Sequence, residues 1–313
     1  MTESPRRRSQ WHEWWSIFRS DRRPLVGLIL LAVLVAASLA APWLTPYNPS
    51  ATVFTPFLPP SGHHWLGTTA NGQDVFAQFV YGGRISLAVG FVSGFVATAL
   101  AVLLGMLPAY WGGRVDTIFA TFTNIMLVIP GLPLLIVITA YVHQTGPFTI
   151  ALVIGLTGWP WGARILRSQT LSLAQRDFVV AARLAGENRL TILLAEILPN
   201  MLSLVAANFV FATIAAILAE ASLEFLGLGN PNAVTWGTML YWAQTGQALL
   251  NGAWWWFVPP GLGIALVGLS LSLINFGIDQ ISNPRLRVSN VRRQRSEPGR
   301  PALPSQQKVG EPL

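Results

Sequence analysis

Residues Asp177–Asn200 read DFVVAARLAGENRLTILLAEILPN, a charged, helix-forming loop between two strongly apolar stretches. Asp177 at a helix start complements the helix dipole. Phe178, Val179, Ala182 and Ala185 fall near one face. Gly186 permits the left-handed turn that ends a helix. Asn188 is placed to cap a second helix through Leu190, Leu193, Leu194 and Ile197. Pro199 is expected to stop that helix where the next apolar run begins. Ala181 and Ala182 leave a shallow surface of small side chains that another protein can approach closely. The residues leave two readings open: a docking site, or two helices lying on a membrane without a partner.

Composition puts the flanking sequence in a bilayer. The chain of 313 residues is 52% hydrophobic and 11% charged, with a mean hydropathy of +0.49; soluble chains carry about 25% charged residues. Six runs are long enough for a hydrocarbon core, which needs about 20 apolar residues: Leu25–Leu44, Ile85–Tyr110, Thr117–Tyr141, Phe148–Leu166, Met201–Ala221 and Trp255–Phe276. The first run is followed by Pro42, Trp43 and Pro46 rather than a small-residue cleavage site, so it reads as a span and not a secretory signal. Pro108, Pro130, Pro133 and Pro160 are expected to kink spans two to four. Gly90 and Gly94 form a GxxxG face suited to close helix packing within the chain.

The net charge of +7 does not point to nucleic acid, because the basic residues lie between and beyond the apolar runs. With a cytoplasmic N-terminus, nineteen of the 20 Lys and Arg fall on the inner side and only Arg84 on the outer side. The excess of basic residues on the cytoplasmic face predicts N-in, C-in and six spans, with Asp177–Asn200 in the inner loop between spans four and five. The expected product is a multi-pass protein of the cell inner or plasma membrane, all-α, in three parts: a tail over 1–24, a transmembrane domain over 25–284 and a basic tail over 285–313. The transmembrane domain carries an outer loop over 45–84 and the inner loop over 167–200. In the first tail, Trp11, Trp14, Trp15 and Phe18 recur at helical spacing and suggest a helix in the inner interface, with a disordered tail as the alternative. Trp254, Trp255 and Trp256 read as an outer aromatic belt.

Glu220 and Glu224 lie four residues apart near the outer end of span five. An ionisable side chain at membrane depth is a functional candidate. Glu220 reads either as a pathway or gate residue or as an interfacial anchor, and Glu224 as an anchor at the water interface. Chemistry-bearing motifs are missing. No GxxxxGK[ST] exists, and the one lysine, Lys308, lies in the tail, so a P-loop must come from another chain. There is no HExxH, no GxSxG and no cysteine. His12, His63, His64 and His143 are scattered, none at ligand spacing from a carboxylate. No catalytic residue, metal site or cofactor is expected.

The loop resembles the coupling loop of ABC-importer permeases of the dipeptide/oligopeptide/nickel branch: an acidic residue and an aromatic, then x-x-A-A-R-x-x-G, ending in a hydrophobic residue, Pro and Asn. Asp177, Phe178, Ala181, Ala182, Arg183, Gly186, Leu198, Pro199 and Asn200 supply the pattern, and Val180 departs from it where the motif has Glu. Further segments match in order: His64-Trp65-Leu66-Gly67-Thr68, Gly72-Gln73-Asp74, Gly82-Gly83-Arg84-Ile85-Ser86-Leu87, Glu220 to Gly229, Trp236-Gly237, Pro259-Pro260-Gly261-Leu262, and Asn275-Phe276-Gly277-Ile278-Asp279. They resemble the C-type subunit, with Gln78 standing where Arg is common and Asn283 where Asp is. The resemblance covers residues 20–287. It implies the type I importer permease fold, a homologous permease as heterodimer partner, two ATP-binding cassette subunits that dock on the coupling loop, and an extracytoplasmic solute-binding protein. The implied cargo is a di- or oligopeptide, with nickel or an oligosaccharide as alternatives in the same branch. A self-contained secondary transporter is the reading outside it.

Overall fold

The computed structural model describes residues 22–142 and 146–282. The Trp-rich stretch Gln10–Arg19, His12, His143 and the tail over 285–313 lie outside them. The described regular elements are helices: α1 Arg22–Leu39, α2 Ala41–Leu44, α3 Val75–Ala101, α4 Leu107–Trp111, α5 Gly113–Val128, α6 Gly131–Tyr141, α7 Pro147–Thr157, α8 Pro160–Leu173, α9 Asp177–Leu184, α10 Arg189–Thr191, α11 Leu198–Phe225, α12 Trp236–Thr245 and α13 Trp254–Ser282. Two π-helical segments, Val102–Met106 and Ile192–Ile197, join α3 to α4 and α10 to α11. Among the described residues, five helical stretches are long and apolar enough to cross a membrane: Arg22–Leu39, Val75–Trp111, Pro147–Leu173, Arg189–Phe225 and Trp254–Asp279. A sixth candidate, α5 with α6, is bent by 89°.

That bend corrects the reading of Thr117–Tyr141 as one kinked helix. A proline pushes the residue before it out of the helical region. Ile129, before Pro130, is extended at φ −72° and ψ 123°, and Pro130 itself has ψ 124°, so two successive residues leave the helix and the chain turns. Pro133, in the first turn of α6, causes no further break. Pro108 and Pro199 act differently. Each follows a π-helical segment by one Leu, Leu107 and Leu198. Proline removes a backbone donor, and the wider i→i+5 turn changes the register of hydrogen bonding where that donor is lost. The helix from Arg189 therefore runs on to Phe225 instead of stopping at Pro199.

α3 and α11 form the centre of the bundle. Gly90 faces Ile217 and Gly94 faces Thr213 so closely that a side chain at either glycine would overlap its neighbour. The GxxxG face thus serves packing within the chain, as read. Asn208 Nδ2 donates to Thr98 Oγ1 (3.1 Å), and Ser93 Oγ donates to the Ala151 carbonyl (2.9 Å), which ties α3 to α7. α1 lies along α13, with Gly27 against Ser270 and Leu273. Arg167 holds Asp116 through Nε–Oδ1 (2.6 Å) and Nη2–Oδ2 (2.8 Å), fastening the first turn of α5 to α8.

The loop between α2 and α3 is irregular, as its prolines require, and internally bonded. The Phe54 and Phe57 amides donate to the Gly72 and Thr69 carbonyls, the Thr68 amide donates to the Leu58 carbonyl, and the Leu58 amide donates to Thr68 Oγ1. α3 begins at Val75, ten residues earlier than its apolar run, because Asp74 caps it by accepting from the Ala77 amide (2.7 Å). His64 Nδ1 lies 2.8 Å from the other Asp74 oxygen, and its ring packs against those of Tyr47 and Phe54. His64 is thus paired with a carboxylate that the spacing did not reveal. The segment between α11 and α13 holds the helix α12, also unforeseen. Trp256 is buried in the core with Trp236, while Trp254 remains exposed, so the expected belt of three tryptophans loses Trp256.

Candidate functional site

α9 ends in a complete Schellman motif. The Gly186 amide donates to the Arg183 carbonyl (3.1 Å) and the Glu187 amide to the Ala182 carbonyl (3.1 Å), with Gly186 left-handed at φ +82°. Asn188 caps α10, accepting from the Leu190 amide (3.0 Å). These local features follow the sequence reading. The bundle covers only part of the face near which Phe178, Val179, Ala182 and Ala185 fall. Val179 is buried and Ala182 half-buried, whereas Phe178, Ala181 and Ala185 are exposed. Five residues from Ala181 to Ala185 turn about 100° per residue, and α9 rests on the cluster below it through one ridge only.

That cluster joins Met106, Tyr110, Ala163, Leu166, Ile192, Ile197 and Met201 to Val179, with Ala182 and Leu198 packed on it. It draws on α4, α8 and both π-helical segments. Arg183 adds a polar grip: its guanidinium lies 5.2 Å from the centre of the Tyr110 ring, with Nε donating to the Tyr110 hydroxyl (3.4 Å). Asp177 opens α9 and is exposed; Pro199 is exposed. Away from the cluster, Val180 and Leu184 (84% exposed), one helical turn apart, stand uncovered, and Phe178 is exposed on the opposite edge of α9.

Glu220 occupies a separate place. α11 has 28 residues, a rod of about 42 Å at 1.5 Å per residue, with Leu198 at one end and Glu220 near the other. Glu220 is 1% exposed and Glu224 2%, so Glu224 is buried within the fold rather than set at the water interface. The reason is α12, whose start folds back over both. Ser86 Oγ on α3 donates to Glu220 Oε1 (3.0 Å) and accepts from the Trp236 amide (3.1 Å). Thr235 Oγ1 donates to Glu224 Oε2. Thr235 also caps α12 in a capping box with Thr238. Gly237 lies so close to Glu224 that an added Cβ would sit 2.6 Å from its Oε2. Glu220 Oε2 is buried without a hydrogen-bond partner. Ser86, Glu220 and Trp236 thus knot three elements. Ser86 precedes the other two by more than a hundred residues, so no spacing rule joins them; the one local signal was the pair of carboxylates in an apolar run.

The comparisons agree with this architecture. Residues 101–288 match the family model of binding-protein-dependent transport system inner membrane components. Residues 9–60 match that of the N-terminal transmembrane domain of oligopeptide transport permease C. The chain is 33% identical over 278 residues to the dipeptide transport system permease protein DppC of Bacillus subtilis, covering 87% of this chain and 85% of the relative. It is 32% identical over 282 residues to the oligopeptide transport system permease protein OppC of the same organism, covering 89% and 91%. It is 32% identical over 284 residues to the di/tripeptide transport system permease protein DppC of Pseudomonas aeruginosa, covering 88% and 92%. A multi-pass helical protein of the inner membrane, this chain belongs to the family of binding-protein-dependent transport system inner membrane components.

Proposed function

We propose that the chain is the C-type permease subunit of an ATP-driven, binding-protein-dependent importer of di- or oligopeptides. It forms half of the translocation pathway, and a homologous permease forms the other half. Two ATP-binding cassette subunits dock on the loop Asp177–Pro199, and an extracytoplasmic solute-binding protein delivers the cargo. The bent pair α5–α6 counts as one span, giving six, with both termini cytoplasmic. The arginine distribution supports that orientation, and the printed names of the relatives support peptides as cargo.

The observation that carries the reading is the seating of α9. It is a capped helix with an uncovered apolar flank, gripping the bundle where two long helices end. A push on Phe178, Val180 and Leu184 reaches α4 through Arg183 and Tyr110, and α11 through Val179 and the Ile192–Ile197 segment. That is rigid-body transmission from a docking face to the spans. At the far end of α11, Glu220 is the candidate gate residue, because its knot with Ser86 and the Trp236 amide must hold or break when α3, α11 and α12 shift.

The test is uptake of a labelled dipeptide by the full importer in liposomes. Uptake is expected to require ATP on the cytoplasmic face and to survive an uncoupler. Uptake that ignores ATP and collapses with the uncoupler would overturn the reading in favour of a secondary transporter. In the same assay Glu220→Gln is expected to cut uptake while the complex still assembles. Wild-type uptake by that variant removes Glu220 from the pathway.

A further inference from the structure

The outer turn between α12 and α13 holds a feature that transport by the spans does not use. Leu249 and Leu250 stand side by side at its tip, 77% and 82% exposed. They form one lip of an apolar groove of about 430 Å³, whose walls include Phe225, Leu240, Phe257 and the stem of Gln244. Phe225 closes one candidate span and Phe257 lies in the first turn of another, so the groove is continuous with membrane-crossing surface.

The tip is built to hold the two leucines outward. The Ala248 amide donates to the Ala243 carbonyl (2.9 Å) and the Ala253 amide to the Ala248 carbonyl (2.8 Å). Asn251 binds the Gln247 carbonyl through both its amide (3.1 Å) and its side chain (3.0 Å). Gln247 and Gly252 are both left-handed, and Ala248 and Ala253 are buried. A turn stapled this way cannot fold its leucines under itself.

Charge decides what meets them. No Asp, Glu, Lys or Arg occurs between Glu224 and Asp279. A soluble protein docks through an apolar centre ringed by polar and charged groups, and this surface has no charged rim. The exposed Trp254 opens α13 directly after the turn, and indole rings favour the boundary between headgroups and acyl chains. We propose that the Leu249–Leu250 tip inserts into the outer leaflet and that a phospholipid acyl chain occupies the groove between α12 and α13, anchoring the outer end of this subunit to lipid.

The chain has no cysteine, so single-site spin labels are clean. Leu249→Cys and Leu250→Cys, with the exposed Asn232→Cys as the aqueous reference, are labelled in the complete importer in phosphatidylcholine–phosphatidylglycerol nanodiscs. Collisions with oxygen, which concentrates in lipid, are compared with collisions with a water-soluble nickel chelate. The expected result is a ratio of oxygen to nickel accessibility at least several-fold higher at 249 and 250 than at 232, unchanged by saturating solute-binding protein. Nickel accessibility equal to that at 232 would overturn the proposal in favour of a free aqueous turn. Loss of access to both reagents, either at rest or when the binding protein is added, would overturn it in favour of a protein partner. None of these outcomes bears on peptide uptake, so this proposal and the importer reading fail separately.

Discussion

Gly186 shows how much one residue controls here. Its φ of +82° suits glycine, and nothing lies within 4 Å of where a Cβ would stand. Gly186→Ala therefore costs the left-handed backbone penalty alone, about 1–2 kcal/mol, with no clash added. The expected outcome is a complex that still folds, with a small fall in melting temperature, but loses coupling, seen as lower peptide-stimulated ATP hydrolysis. Thr235 is the opposite case, because it both caps α12 and donates to the buried Glu224. Losing the cap costs about 0.5–2 kcal/mol, and a buried acceptor left unpaired costs about 1–3 kcal/mol more. Thr235→Ala is expected to lower the unfolding temperature in detergent clearly, and Thr235→Ser to restore most of it; equal behaviour of the two variants would mean the hydroxyl is idle. Gly186 and the Asn188 cap were legible in the sequence because capping acts over two or three residues. The Thr235–Glu224 and His64–Asp74 contacts were not, because each depends on a loop folding back.

Among the elements, close packing rather than interhelical hydrogen bonding sets the register of α3 on α11. A side-chain hydrogen bond between membrane helices averages about 0.6 kcal/mol, whereas forcing extra methylenes into a packed site costs about 1–3 kcal/mol. Gly94→Val, which meets Thr213 and the α11 backbone, should therefore destabilise the bundle more than Asn208→Ala, which removes the bond to Thr98. Thermal unfolding of the two variants in detergent checks the order, and the reverse order would assign the register to the hydrogen bond. Apolar runs revealed the spans, but not their ends. α3 gains ten residues from the Asp74 cap. α11 passes through Pro199 by way of a π-helical segment. α5 and α6 part at Pro130. Prolines alone did not distinguish these last two outcomes, since what differs is whether the neighbouring turns can widen to absorb the missing donor or the preceding residue goes extended. α12 was missed because its ten residues are too short for a span and mix Gly, Thr and Gln with the apolar positions.

For the whole molecule, charge asymmetry and apolar runs carried the sequence reading to an all-helical inner-membrane protein, and the order of short motifs carried it to the family. The apolar flank of α9 was only partly legible. Helical periodicity put Phe178, Val179, Ala182 and Ala185 near one face but did not say what covers it; the bundle covers a single ridge at Val179 and Ala182 and leaves Phe178, Val180 and Leu184 exposed. On this account that flank is the seat of an ATPase subunit, and everything proposed about energy coupling rests on it. The direct measurement is co-purification of the tagged permease with P-loop ATPase subunits, comparing wild type with Ala181→Glu/Leu184→Glu, two exposed positions whose change leaves the Val179 ridge intact. The account predicts that wild type brings down the ATPase and that the double variant, equally folded by circular dichroism and gel filtration, does not. An ATPase retained by the double variant, or none with the wild type under mild detergent, would contradict it.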